Sequence, residues 1–427
     1  MTAPPPPEDG RITGHRPALD GVRAVAALAV LLFHVAASTG DLAGEGALSN
    51  LLSGGEIGVP IFFALSGLLL YRPWAVAAFG LGEPPRTRNY LWKRALRLLP
   101  AYWALVVVCM LLYGRDHLGD PAGWAMLLTM THAYDPSPWW HAELGYLGPK
   151  GMGQIWSLTV EAAFYAVLPV LAAGLGWWAR RGVRTAARLA RRLLAGLAAC
   201  FAFSAAYTVA MYSFADTQLL SMWLPHYLGW FTVGMALAVV SVWACAEPRE
   251  DGPARRFCHT VAASWGMCWT AAALLYCAAS TPLTGGFRLV EDDPWTGQFH
   301  IVLYGLVALF LLAPVALAPA DHPVISAVLA NRVMRYLGKI SYSVFLWQFV
   351  VIYLWFDLMG RRPFEGNLWL DFPVCALLTV AVAAASHRLI EAPAQRLRRG
   401  PPATRTPAVP LRSVYAHSRT DTERDPS

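Results

Sequence analysis

Apolar runs long enough to cross a lipid bilayer follow one another along most of the chain. A hydrocarbon layer roughly 30 Å thick requires about 20 apolar residues in a helix rising about 1.5 Å per residue. Ten stretches reach or approach that length, at about 18–38, 56–76, 98–113, 154–177, 193–213, 220–245, 257–279, 297–317, 338–358 and 369–389. The pattern predicts an all-α, polytopic transmembrane bundle of about ten helices. A further apolar piece, 121–134, is too short to cross alone and is placed as a re-entrant or surface helix on the outer side. The first span lacks a small-residue cleavage site and is expected to remain in the protein. Residues 1–15, with the run Pro4 to Pro7, and 398–427, polar and Pro-rich, read as disordered tails, leaving 16–397 as one membrane domain.

Charge orients these spans. An even number places both termini on one side, and if that side is the cytoplasm, its segments hold 29 of the 34 Lys and Arg. Only Arg115, Lys150, Arg288, Arg361 and Arg362 fall outside. The positive-inside rule therefore predicts cytoplasmic N- and C-termini in a multi-pass protein of the cell (inner) membrane. Composition agrees, with 56% hydrophobic and 14% charged residues and a mean hydropathy of +0.42, against about a quarter charged in soluble domains. The net charge of +7 sits in short loops beside the spans, which argues against a nucleic-acid partner. Seven cysteines lie in or beside the spans without C-x-x-C spacing. They read as small packing residues, with no disulfide framework or metal site implied.

Against this background, a charged side chain within a span costs roughly 2.5–3.5 kcal/mol on insertion scales and marks a candidate site. The first span carries Asp20, Arg23 and His34. Arg23 and His34, eleven residues apart, share a face and stand about 16 Å apart along the axis. The fourth span carries Glu161 within QIWSLTVEAAFYAVLP. Counted from Gln154, Glu161 lies about 10 Å below the outer boundary; counted from Asp20, His34 lies about 20 Å above the inner one. In a roughly 30 Å slab those levels coincide, so His34 and Glu161 are expected to meet as a carboxylate and a base. A bundle in which the two merely satisfy one another is the plainer alternative. Arg94 and Arg97 in LWKRALRLLPAYW lie three residues apart on one face, a spacing that suits phosphate oxygens as well as ordinary positive-inside anchoring.

In combination these segments resemble the membrane acyltransferase family 3, which includes bacterial O-antigen and polysaccharide O-acetyltransferases and macrolide sugar acyltransferases. The resemblance spans about residues 16–397. It rests on Arg23 and His34 with ten residues between them, GVPIFFALSGLLL with Ser66, Arg94 and Arg97 before Pro100, WSLTVEAAFY with Glu161, and YLGKISYSVFLWQ with Ser341 and Tyr342. It implies transfer of an acyl group, often acetyl, from acyl-coenzyme A on the cytoplasmic side to a hydroxyl of a carbohydrate or glycosylated acceptor. His34 would be the catalytic base or transient acyl carrier, with Glu161 supporting the acid-base step. Arg23, Arg94 and Arg97 would hold the donor's phosphates, while Ser66, Ser341 and Tyr342 line the substrate cavity and can bind a developing oxyanion.

One position departs from the pattern. Gln348 stands where relatives commonly carry His, and an amide can hydrogen-bond substrate but cannot exchange a proton near neutrality. The burden of base catalysis then falls on His34 with Glu161. His226, near the start of the sixth span, is a less favoured substitute, more in keeping with an interfacial anchor. Glu391 and Pro393 match a signature read as structural. A transporter or flippase for a lipid-linked sugar or small metabolite would account for charges in the spans, but not for the Arg94 and Arg97 pair together with the whole motif set.

Overall fold

The computed structural model describes residues 16–397 apart from 45, 184, 215–216, 248–251, 282–292 and 320–321; the two tails and Arg288 lie outside the described residues. Among those described there is no strand, and nine long apolar helices plus one bent pair follow the predicted order. They are α1 (Pro17–Thr39), α2 (Gly58–Ala78), α3 (Thr87–Tyr113), α4 (Ile155–Arg180), α5 (Ala186–Met211), α6 (Leu224–Ala246), α7 (Pro253–Ala263), α8 (Trp265–Ala279), α9 (Pro294–Leu317), α10 (Arg332–Leu358) and α11 (Leu368–Ser386).

Two differences from the hydropathy pattern stand out. The predicted span 257–279 is two helices, α7 and α8, bent by 68° at Ser264. The N-terminal half, carrying Arg255, Arg256 and His259, is too polar to run straight on with the apolar half. Second, α3 begins about three turns and α10 somewhat under two turns before the apolar stretch, at Thr87 and Arg332. Basic residues counted as loop therefore stand on helix faces. The piece 121–134 is a short helix, Pro121–Leu128, followed by a 3-10 turn at His132–Tyr134. Tyr102 and Trp103 of α3 tie it down by donating to the carbonyls of Leu127 at 2.6 Å and Leu128 at 2.9 Å.

Helices α1 and α2 stand at the centre. On one side α1 packs on α10, which packs on α11; on the other α2 packs on α6, which packs on α5 and α9. Helix α4 leans on α2, α5 and α6, and α3 on α10 and α4. The closest crossing, α2 on α6, depends on glycine. A Cβ on Gly234 would strike the Ala64 carbonyl, and one on Gly67 the Phe231 carbonyl, so the two backbones touch without side chains between them, the small-residue contact favoured in membranes. At the end opposite the termini, buried Asp371 accepts both Arg361 contacts at 2.8 Å, the Trp355 indole at 2.9 Å and the Asn367 amide at 2.7 Å, fixing the α10–α11 turn.

Because backbone atoms oppose the α2–α6 glycines, Gly234→Val should lower the detergent-solubilised protein's melting temperature by the equivalent of about 1–3 kcal/mol, the usual cost of overpacking. Gly174→Ala, where an added Cβ meets nothing within 4 Å, should leave it within about 0.5 kcal/mol. Equal melting of the Gly234→Val variant and the wild type would contradict the backbone-on-backbone crossing.

Candidate active site

Seven of the nine residues singled out in the sequence line one cavity of about 80 Å³ at the heart of the bundle. They are Arg23 of α1, Ser66 of α2, Arg94 and Arg97 of α3, Glu161 of α4, and Ser341 and Tyr342 of α10. Phe62 and Phe345 close its walls. The helices converge here for local reasons. Gly338 of α10 rides directly on the Asp20 carbonyl of α1, which sets Arg23 beside Tyr342 and Ser341. Arg23 in turn is held by Asp20, one turn earlier, through an ion pair of 2.9 Å.

Glu161 organises the cavity floor. Its Oε1 accepts hydroxyls from Ser66 and from Tyr165, each at 2.6 Å. Tyr165 escaped the sequence reading, although its place four residues after Glu161, on the same helix face, was the signal. Ser157, four residues before Glu161, completes that stripe on the cavity wall. Arg94 and Arg97 stand close enough to act electrostatically on Tyr165, as Glu161 does, yet neither makes an ion pair with the carboxylate, and the buried Nε of Arg94 has no hydrogen-bond partner. Cationic groups thus remain open on the cavity side.

His34 and Gln348 lie elsewhere. The His34 ring packs against Phe349, centroids 4.3 Å apart, with the Gln348 side chain as its polar neighbour. Nδ1 of His34 and Oε1 of Gln348 are both buried without a geometrically sound hydrogen-bond partner, while Gln348 Nε2 donates to the Phe345 carbonyl at 3.0 Å. Phe345 lines the cavity, and Gln348 follows it by three residues, roughly 4.5 Å of helix rise; His34 and Gln348 themselves do not line the cavity.

The expected meeting of His34 with Glu161 is therefore corrected. The carboxylate takes hydroxyl partners instead, and the helix between α1 and α4 in the chain of contacts is α2, which packs on both. Helical rise fixes height but says nothing of azimuth, so matched depth did not imply contact. The hydroxyls expected to be available are also engaged: Ser341 donates to the Gly338 carbonyl at 2.9 Å and Tyr342 to the Leu98 carbonyl at 2.7 Å. A substrate must exchange for these bonds or use the remaining lone pairs. His226 is buried with Nδ1 at 3.0 Å from Thr208 Oγ1, away from the cavity. Glu391 accepts from Ser343 and lies 3.4 Å from His387 Nδ1 within a π-helical turn. Among the described residues no group of His, Cys, Asp and Glu is disposed to hold a metal.

A helical membrane bundle enclosing a small polar chamber with unpaired arginines is the class that fold and site define. The profile of a family described as an acyltransferase domain matches residues 16–388, and the chain belongs to that acyltransferase family. Similar proteins include YrhL of Bacillus subtilis, 27% identical over 401 residues, covering 88% of this chain and 54% of the relative. The peptidoglycan O-acetyltransferase OatA of Listeria monocytogenes is 22% identical over 398 residues, covering 89% and 56%. The O-acetyltransferase OatA of Staphylococcus aureus is 24% identical over 398 residues, covering 89% and 57%. The chain thus spans about half the length of these relatives. No solved structure matches it.

Removing the Glu161 acceptor should be felt in stability before chemistry is considered. Glu161→Leu strands the Ser66 and Tyr165 hydroxyls, a cost of about 1–3 kcal/mol for each buried group left unmet, whereas Glu161→Gln keeps an acceptor. Thermal melts should therefore rank wild type above Gln and Gln above Leu; a Leu variant as stable as wild type would show that the floor network is not formed.

Proposed function

We propose that this chain moves an acyl group, acetyl in the simplest case, from acyl-coenzyme A to a hydroxyl of a carbohydrate or glycosylated acceptor inside the membrane-embedded cavity. The observation that carries the reading is the convergence of Arg23, Arg94 and Arg97 on one chamber, with Phe345 of α10 on its wall and Gln348 of the same helix beside the half-buried His34 imidazole. Three guanidinium groups suit the donor's phosphates. The first turn of α1, near the chain's start, and Gln395, near its end, border one cavity at this end of the bundle. With most Lys and Arg on the same side of the span order, that end faces the cytoplasm, where acyl-coenzyme A is available. The relatives named above as O-acetyltransferases support a hydroxyl acceptor.

In the proposed chemistry the acceptor hydroxyl gives its proton to His34 as its oxygen attacks the thioester carbonyl. The tetrahedral intermediate collapses with cleavage of the carbon–sulfur bond, and the imidazolium returns the proton to the departing coenzyme A sulfur. The products are the acyl ester and free thiol, and no further reactant is needed. Gln348 serves His34 as a neutral hydrogen-bonding neighbour. Glu161, bound to two hydroxyls, acts as a positioning residue for the cavity floor and as a counter-charge to the arginines, not as the direct partner of the base. Enclosure within the bundle keeps bulk water from the thioester.

Purified full chain mixed with labelled acetyl-coenzyme A and glycan acceptors should release coenzyme A only when an acceptor is present. His34→Ala should lower kcat by about 10²- to 10⁴-fold, the range of general-base contributions. Arg97→Ala should chiefly raise KM for the donor. Full turnover in both His34→Ala and Glu161→Ala would remove these residues from the mechanism, and substrate translocation without coenzyme A release would replace it with transport.

A further inference from the structure

A second cavity of about 550 Å³ opens at the end of the bundle that carries the termini, and Arg23 and Arg97 line both this chamber and the central one. Its remaining cationic wall comes from Arg332, Arg335 and Lys339, and Asp20, His387 and Gln395 line it too. Read from sequence, these three basic residues pass for membrane anchors. The structure places them on the first two turns of α10, at positions i, i+3 and i+7 of one face. Further along the same helix Tyr342 and Phe345 line the central cavity, and Gln348 stands beside His34. One helix thus contributes side chains from the mouth to the neighbour of the imidazole.

The charge of this chamber is not spent within the protein. Elsewhere at the same end, Arg16, Arg180 and Arg192 donate to backbone carbonyls, as Arg255 does, the behaviour of anchors. At the opposite end Arg361 is paired with Asp371 and Lys150 lies over the Tyr113 ring. Arg97, Arg332, Arg335 and Lys339 make no ion pair or side-chain hydrogen bond with any described residue. With Arg23 balanced by Asp20, the wall presents four uncompensated positive charges around a space within the 300–1,000 Å³ range typical of small-molecule sites.

We infer that this chamber is the seat of the donor's nucleotide end, and that Arg332, Arg335 and Lys339 recognise its 3′-phosphate while Arg97 faces the diphosphate. The inference rests on the acyl-coenzyme A reading proposed above and extends it to residues that reading leaves out. Shape and charge agree. A phosphomonoester carries about −1.5 to −2 near neutrality, and two diphosphate charges bring the nucleotide end close to the four positive charges of the wall. A wide cationic chamber and a narrow one that share Arg23 and Arg97 as lining residues match a bulky polyanionic head on a thin arm that carries the thioester onward toward His34.

The test compares acetyl-coenzyme A with its 3′-dephospho analogue on the full chain, alongside direct binding of adenosine 3′,5′-bisphosphate. Wild type should favour the phosphorylated donor by about tenfold or more in kcat/KM, through KM. The triple variant Arg332→Gln, Arg335→Gln, Lys339→Gln should lose that preference and the bisphosphate binding together. Arg191→Gln, which removes a charge at the same end outside the chamber, should keep both. Turnover with acetyl-coenzyme A whose preference is the same in wild type and triple variant would overturn the inference and leave the transferase reading standing. If acetyl-coenzyme A is not turned over at all, bisphosphate binding that the triple variant loses would still support the seat while the transferase reading falls. A wild type that binds no bisphosphate would overturn the seat itself.

Discussion

Keeping cations inside a lipid-embedded bundle is the constraint on which the rest of this structure depends. Each guanidinium at the centre of a membrane helix costs several kcal/mol unless it faces protein or water, and here three of them, on α1 and α3, face a single chamber. Two features make that arrangement tenable. Asp20 holds Arg23 within its own helix, and Glu161, fixed by Ser66 and Tyr165, supplies negative charge across the cavity without forming an ion pair that would silence Arg94 and Arg97. Arg23 is held in place, while Arg94 keeps a buried donor edge without a protein partner.

The packing explains why the chamber sits where it does. Glycine contacts bring α2 against α6 and α10 against α1 with backbone touching backbone, so the central helices are rigidly registered and the polar faces of α1, α2, α3, α4 and α10 converge. Toward the termini the helices carry their basic residues into a wider chamber. Away from the termini the walls become aromatic, with Phe62 against Phe345 at 6.1 Å and His34 against Phe349. Polarity therefore falls along the path from mouth to imidazole, a gradient suited to a substrate with a charged head and an apolar reacting end.

Much of the architecture was legible in the sequence because crossing a bilayer imposes length and polarity on every helix. Nine spans follow from apolar run length alone. The bend at Ser264 was not, since length and mean hydropathy do not record where a polar half-helix must turn away from its apolar continuation. The cavity residues were legible as charges and hydroxyls out of place in lipid, and Arg23, Ser66, Arg94, Arg97, Glu161, Ser341 and Tyr342 do gather. The pairing of His34 with Glu161 was misread, because counting residues gives depth while the identity of a helix's neighbour depends on packing across the bundle. Arg332, Arg335 and Lys339 were hidden for a related reason: positive charge near a span end has an ordinary explanation, and only the cavity they surround sets them apart.

Everything in this mechanism requires the donor to lie along α10 with its thioester at His34. A structure of the full chain with a non-transferable acyl-coenzyme A analogue tests this most directly. Diphosphate oxygens should lie within hydrogen-bond reach of Arg94 or Arg97, and the acyl carbonyl should be placed so that an acceptor hydroxyl bridging it to the His34 ring has its oxygen about 3–3.5 Å from the carbon, the separation of a near-attack geometry. An analogue seated at the opposite end of the bundle, or one whose acyl group is screened from His34 by the Phe345 and Phe349 rings, would contradict it.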